Sequence, residues 1–338
     1  MNPIENQQIL LKSRPEGMVS AENFESNIQT ISDVPEGKVL VRNVYLSIDP
    51  AMRGWMSDQK SYMPPVGIGE VMRGMSVGEV VESKAPSVKA GQLVSGMLGW
   101  QQYALAKPTQ LTPLLPGISL TDAISVLGIT GLSAYFGLLE VGLPKEAETV
   151  LVSGAAGGVG SVVGQIAKIK GCRAVGVAGS AEKCARLTSE FGFDAAINYR
   201  EGELAAQVRE ACPKGIDVFF DNVGGEILDV ALANIRKHGR IVLCGAISRY
   251  NEAELSPGPR NYMSLIINSA RMEGFILMNY AGKFPQAMKE LGTWVGQGRI
   301  KSAVDVVDGL ERAPEALLRL FSGANQGKQL VKVGPEPA

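Results

Sequence analysis

Val150-Leu151-Val152-Ser153-Gly154-Ala155-Ala156-Gly157-Gly158-Val159-Gly160-Ser161-Val162-Val163-Gly164-Gln165-Ile166-Ala167-Lys168 decides the fold of this chain. A β-branched run enters a glycine turn, and residues of helical character follow, which is the order strand, turn, helix. The glycines are spaced GxxGxxG at 154, 157 and 160. A dinucleotide-binding turn needs such glycines because a Cβ blocks the backbone from approaching a pyrophosphate, whose charge is met by free N–H groups and the positive end of the helix. Residues 149–167 carry no charge and are about as long as a membrane span. The β-branched first half and the glycines that follow exclude a single membrane helix.

Beyond this turn, β-like runs at 174–178, 195–198, 216–221, 240–244 and 271–277 alternate with helical segments. Short strands separated by helices of about ten to fifteen residues predict an α/β fold with a doubly wound parallel sheet. Before it, the first third reads as an all-β module, with β-like runs at 38–46, 76–82 and 92–96 and with Asp49-Pro50 and Pro64-Pro65 among its turns. Apolar residues at helical spacing run from Ile124 to Leu139, up to the stop at Gly142-Leu143-Pro144. After a helical segment at 284–297, β character returns at 303–307, and the run 329–333 is expected to pair back into the first domain. No linker of the length found between independent domains separates them, so the two domains are expected to meet along a cleft.

Composition limits the partners. With 33 Lys+Arg against 34 Asp+Glu in 338 residues, the net charge of −1 gives no surplus to neutralise nucleic acid or anionic lipid. Cys172, Cys184, Cys212 and Cys244 form no CxxC pair, and His238 is the only histidine, which leaves no local zinc pattern. His238 sits in a polar run, where a solvated turn is expected. The start of the chain shows no charged n-region followed by an apolar h-region, and few cysteines fit the cytoplasm.

The second strand selects the dinucleotide. An NAD site places Asp or Glu about twenty residues beyond the glycines, at the strand tip, to bond the adenosine ribose. Here that place reads Ala178-Gly179-Ser180-Ala181-Glu182-Lys183. No acid stands at the tip to repel a 2′-phosphate, and Lys183 follows as a point charge able to bind one, so NADP(H) is the expected cofactor.

Several further motifs join the glycine turn: Ser47-Ile48-Asp49-Pro50-Ala51-Met52-Arg53, Gly179-Ser180-Ala181-Glu182-Lys183, Phe191-Gly192-Phe193-Asp194, Asp221-Asn222-Val223-Gly224-Gly225, Cys244-Gly245-Ala246-Ile247-Ser248 and Gly323-Ala324-Asn325-Gln326-Gly327-Lys328. Together, over nearly the whole chain, they resemble the medium-chain dehydrogenase/reductase superfamily. Within it, the resemblance is to the zinc-free branch of leukotriene B4 dehydrogenase/prostaglandin reductases and plant double-bond reductases. Ser61-Tyr62-Met63-Pro64-Pro65-Val66 and Pro257-Gly258-Pro259 look most like the bacterial, curcumin reductase-like members. Many relatives carry Tyr after Asp-Pro, where this chain has Ala51.

The resemblance implies a Rossmann domain over 123–302, inserted in a β-rich GroES-like catalytic domain made of 1–122 and 303–338. It implies hydride transfer from NADPH to the β-carbon of an α,β-unsaturated ketone or aldehyde, without a metal. The negative charge that develops on the carbonyl oxygen needs only one or two hydrogen-bond donors, a tyrosine hydroxyl and the cofactor's ribose hydroxyl among them. By the same resemblance, Tyr262 is the donor to the enolate oxygen and Tyr62 stands at the pocket mouth. Arg53 and Tyr250 lie near the cofactor or pocket. Ala156, Gly157 and Val159 contact the pyrophosphate, Ser180, Lys183 and Tyr199 surround the 2′-phosphate, and Asn222 reaches the adenosine-side ribose. Cys244, Ser248, Phe275 and Asn325 complete the cofactor set. The resemblance implies a homodimer formed through edge strands, and the apolar run 272–278 is compatible with one. A quinone reductase and a non-catalytic NADP(H)-binding protein fit the same residues.

Overall fold

The computed structural model describes residues 3–254 and 256–337, in two compact units. The first unit comprises residues 1–125, 304–325 and 329–338, and the second comprises 126–303 with 326–328.

In the first unit, β1 (Ile4–Leu11) and β2 (Phe24–Ile31) pair antiparallel along their full length, Ile4 opposite Ile31 and Leu11 opposite Phe24. Then follow β3 (Val39–Ser47), the single-turn helix α1 (Met52–Trp55), β4 (Ser76–Ser83), β5 (Leu93–Gly96), β6 (Tyr103–Ala106), β7 (Leu111–Pro113) and α2 (Leu120–Ile124). β3 is buried along nearly its whole length because β4 and β6 both pair with it. Leu46, Ile48, Met52, Met56 and Trp100 form a core beneath α1. Burying each such side chain contributes roughly 1.5–3 kcal/mol.

The second unit begins with α3 (Ile129–Phe136). The continuous helical run expected from the apolar spacing is broken between α2 and α3. Ser125 leaves helical geometry at φ −109°, ψ −97°, and its hydroxyl donates back to the Thr121 carbonyl at 2.6 Å. Such back-bonding competes with the helix ladder, a cost that apolar periodicity does not register.

Next come β8 (Thr149–Val152), α4 (Gly158–Ile169), β9 (Arg173–Ala178), α5 (Ala181–Ser189), β10 (Ala195–Asn198), α6 (Leu204–Ala211), β11 (Ile216–Asp221), α7 (Gly225–Ala233), β12 (Ile235–Leu243), α8 (Met263–Ile267), β13 (Arg271–Gly274) and α9 (Phe284–Gly296). The six strands form one parallel sheet in the order β10-β9-β8-β11-β12-β13. Strand order reverses beside β8, so the crevice between the carboxyl ends of β8 and β11 is the topological switch point where such sheets bind ligands. All four residues of β8 and all six of β11 are buried, as expected of parallel strands covered on both faces. β13 ends at Gly274, three residues short of the end of the β-like run 271–277, because β12 supplies partners only as far as Leu243 opposite Gly274. His238 is exposed but lies inside β12 at φ +61°, where the register between β11 and β12 shifts.

The chain returns to the first unit through β14 (Val304–Asp308), α10 (Ala313–Ser322) and β15 (Lys328–Lys332). β15 pairs antiparallel with β3, Leu330 opposite Ser47. The last strand therefore completes the seven-stranded sheet begun by the first third of the chain. No helix among the described residues is long and apolar enough to cross a membrane.

Candidate active site

The glycine turn lies at the switch point. Gly157 caps α4 in an extended conformation, and its N–H donates to the Gly154 carbonyl at 3.0 Å. A Cβ on Gly160 would stand 2.4 Å from the Gly154 carbonyl oxygen and 2.7 Å from the Ala155 Cα. Any side chain there would push the turn away from the helix. Ala156, Gly157 and Val159 belong to this turn and the start of α4, whose first turn carries no acid and presents N–H groups lacking helical partners.

The turn is fastened to the neighbouring strand by Ser153. Its hydroxyl donates to Asp221 Oδ1 at 2.7 Å and accepts the N–H of Asn222 at 2.8 Å. The Asn222 amide donates to the Ser153 carbonyl at 2.7 Å. Asp221 Oδ1 also accepts the N–H groups of Val223 and Gly224, at 3.0 and 2.9 Å, while Oδ2 is buried without a partner. Burial raises the Asp221 carboxyl above the usual carboxylate range, and the bonds from Gly224, Ser153 and Val223 pull it back only in part. In the sequence, Asp221 is only part of a motif, and Ser153 is only the end of a strand run. Their joint role depends on two strands that are distant in sequence and adjacent in the sheet.

Next along the sheet, Ser180 caps α5 and its hydroxyl accepts the Lys183 N–H at 3.3 Å. A Cβ on Gly179 would lie 3.1 Å from the Tyr199 hydroxyl, so the phenol leans against the tip of β9. Ser180, Lys183 and Tyr199 are thus gathered at one edge, without a carboxylate at the tip of β9. The Arg200 guanidinium stands 5.8 Å from the Tyr199 ring centroid, a cation–π pair that sequence reading missed. Its only signal was adjacency to Tyr199.

On the other side of the switch point, residues 244–248 wrap over the 221–225 turn. Cys244 and Gly245 donate to the Asp221 carbonyl at 2.9 and 3.1 Å, and the Ser248 hydroxyl donates to the Val223 carbonyl at 2.6 Å. The Tyr250 hydroxyl accepts the Ala246 N–H at 3.1 Å. A cavity of about 370 Å³ opens here, lined by Asp221, Cys244, Arg249, Tyr250, Asp229 and the 257–259 loop. Burial, reinforced by the negative Asp221, pushes the Cys244 thiol up to about 12, which keeps it protonated near neutral pH. Tyr262 is 56% exposed at the entry to α8. Phe275 follows β13, with its ring against Gly137 and edge-on to Tyr280 at 6.4 Å.

The remaining expected residues belong to the first unit. Tyr62 is 56% exposed, and its hydroxyl accepts the Trp55 indole N–H at 3.3 Å. Arg73 lies over Trp55 at 5.8 Å and donates to the Pro64 carbonyl at 2.8 Å, steadying the segment that carries Tyr62. Arg53 is buried on α1, where its guanidinium donates to the carbonyls of Gly17 at 2.9 Å and Pro15 at 3.2 Å. Asn325 is buried in the loop between α10 and β15.

Both halves of the chain match known families. Residues 7–114 match the N-terminal domain of oxidoreductase, and residues 158–293 match the family described as zinc-binding dehydrogenase. No cysteine or histidine precedes Cys172 in this chain. The NADPH-dependent curcumin reductase of Escherichia coli (strain K12) is 43% identical, with 97% of each chain covered. The 2-alkenal reductase (NADP(+)-dependent) of Nicotiana tabacum is 42% identical over 98% of this chain and 99% of its own. The crystal structure of CurA from Vibrio vulnificus in complex with NADPH superposes with a TM-score of 0.92 at 40% identity, covering 98% of this chain and 100% of that one. The chain belongs to the medium-chain dehydrogenase/reductases, in the zinc-free branch of leukotriene B4 dehydrogenase/prostaglandin reductase type.

Proposed function

We propose that this protein reduces the C=C bond of α,β-unsaturated ketones and aldehydes with NADPH and leaves the carbonyl intact. The observation that carries this is the group of Ser180, Lys183 and Tyr199 beside the glycine turn, in a chain whose full-length relatives are NADPH-dependent curcumin and 2-alkenal reductases. The turn fits a pyrophosphate and the Lys183 group fits a 2′-phosphate.

When bound, NADPH would supply the hydride that adds to the β-carbon of the substrate. The chain's own residues hold the rest. Ala156, Gly157 and Val159 present backbone to the pyrophosphate, and Asn222, fixed by Ser153, faces the adenosine-side ribose. Cys244, Ser248, Tyr250, Phe275 and Asn325 complete the binding set, with Cys244 contributing through its backbone. Tyr262 donates a hydrogen bond to the carbonyl oxygen as enolate charge develops there, and Tyr62 stands at the pocket mouth. Arg53 fixes the 15–17 segment beside α1 through its carbonyl bonds. Solvent delivers the proton to the α-carbon, so no strong general acid is required.

The protein acts as a homodimer. β13 is an edge strand of its sheet, and Ile266, Ile267, Ile276 and Met278 are exposed around it, which supports edge-to-edge pairing of two copies. Four unpaired cysteines support a cytoplasmic location. The test is NADPH oxidation by the purified protein against a medium-chain enal, a cyclic enone, a diaryl enone and a quinone. Saturated carbonyl products from the first three are expected. Consumption with the quinone alone would replace enone reduction by quinone reduction.

A further inference from the structure

We propose, on the reading of Tyr262 as the enolate donor, that Asp229 is a positioning residue for the reaction, holding the backbone that aims this tyrosine. Asp229 lies on α7, and its Oδ1 accepts two consecutive backbone N–H groups, Arg260 at 2.6 Å and Asn261 at 3.1 Å. The Asn261 side-chain amide returns a bond to the Asp229 carbonyl at 3.0 Å. Three bonds from one helical residue thus converge on the two residues that precede Tyr262.

The local geometry carries that restraint into the tyrosine. Tyr262 has helical backbone angles, φ −62° and ψ −21°, and opens α8. Ser264 N–H donates to the Asn261 carbonyl and Leu265 N–H to the Tyr262 carbonyl, each at 3.0 Å. Its side chain is more exposed than buried, and no hydrogen bond among the described residues orients its hydroxyl. The backbone at 260–262 fixes the Cα–Cβ direction from which the phenol extends, and the group restraining that backbone is the Asp229 carboxylate. A carboxylate accepting backbone N–H groups makes charge-assisted bonds about twice as strong as neutral ones. At the other end of the same loop, Arg249 donates to the carbonyls of Ser256 and Pro257 and pairs with Glu252 at 3.2 Å. The loop is clamped at both ends, and only the Asp229 clamp abuts Tyr262.

The experiment uses the full-length protein as wild type, Asp229→Ala, Asp229→Asn, Tyr262→Phe and the Asp229→Ala/Tyr262→Phe double variant. Amide hydrogen exchange is read at 260 and 261, with kcat and KM for an enone and KM for NADPH. Asp229→Ala is expected to speed exchange at both amides about tenfold and to lower kcat about tenfold or more, with KM for NADPH unchanged. Asp229→Asn, which keeps a carbonyl acceptor, is expected to retain most of both. In the Tyr262→Phe background, Asp229→Ala should cost little further kcat, because the two act as one unit. Additive losses in the double variant, or faster exchange with unchanged kcat, would overturn the proposal. Unchanged kcat in Tyr262→Phe would remove the donor reading and the proposal with it, while exchange at 260 and 261 would still report whether the clamp exists. If Asp229→Ala does not fold, Asp229→Asn carries the test: the small rise in exchange that it allows is expected to bring no more than a proportionately small fall in kcat, and a large rise in exchange with kcat unchanged contradicts the proposal.

Discussion

The hydroxyl of Ser153 donates to Asp221 Oδ1 at 2.7 Å, joining the carboxyl ends of β8 and β11 where the cofactor turn begins. Asp221 is wholly buried and one of its oxygens has no partner, so this bond satisfies a group that water cannot reach. Ser153→Ala is expected to lower unfolding stability by about 1–3 kcal/mol and to weaken NADPH binding as the Asn222 turn loosens. Denaturant unfolding and cofactor titration monitored by fluorescence check both.

Gly160 tests the turn more locally. A Cβ there meets the Gly154 carbonyl oxygen and the Ala155 Cα, both backbone atoms that cannot swing aside. Gly160→Ala should cost about 1–3 kcal/mol as an overpacked site and raise the dissociation constant for NADPH and NADH alike. Loss of affinity for one cofactor only would place the defect elsewhere.

Lys183 should act on one cofactor. A charge-assisted contact to the 2′-phosphate is worth roughly 1.5–3 kcal/mol, so Lys183→Ala should raise KM for NADPH by about tenfold or more and leave NADH little changed. Arg200→Ala should act in the same direction by less, since Tyr199 keeps its place against Gly179. Steady-state kinetics with both cofactors at two salt concentrations separates charge from packing.

The acid limb of stability has a named contributor. Burial pushes the Glu148 carboxyl up, but bonds from Arg240 and from the Lys145 N–H outweigh it and hold Glu148 below its ordinary value. A carboxyl depressed in the folded state stabilises above its unfolded value and loses that contribution as pH falls through the folded value. The thermal midpoint should therefore fall below about pH 4.5, and Glu148→Gln should be less stable at pH 7 with a flatter acid limb. Calorimetry from pH 3 to 7 measures this.

The cofactor half of the site was more legible than the loop that carries Tyr262. Glycine spacing, β-branched runs and the missing acid after Ala178 are local signals, and they located the strands of the parallel sheet within a few residues. β1 and β2 escaped because their polar residues face both ways: Asn6 and Gln8 are buried but bonded to Gln101, which blurs the alternation that marks a strand. The Asp229 clamp on residues 260 and 261, like the Ser153 bond to Asp221, joins residues far apart in sequence, and no spacing announces such pairs.

The central claim is hydride delivery to the β-carbon of an enone, and deuterium labelling tests it most directly. The protein is supplied with NADPH deuterated at the transferable C4 position and a diaryl enone, and the product is read by NMR and mass. Deuterium at the β-carbon, solvent hydrogen at the α-carbon and an intact carbonyl are predicted. Deuterium on the carbonyl carbon, giving an allylic alcohol, would contradict the account.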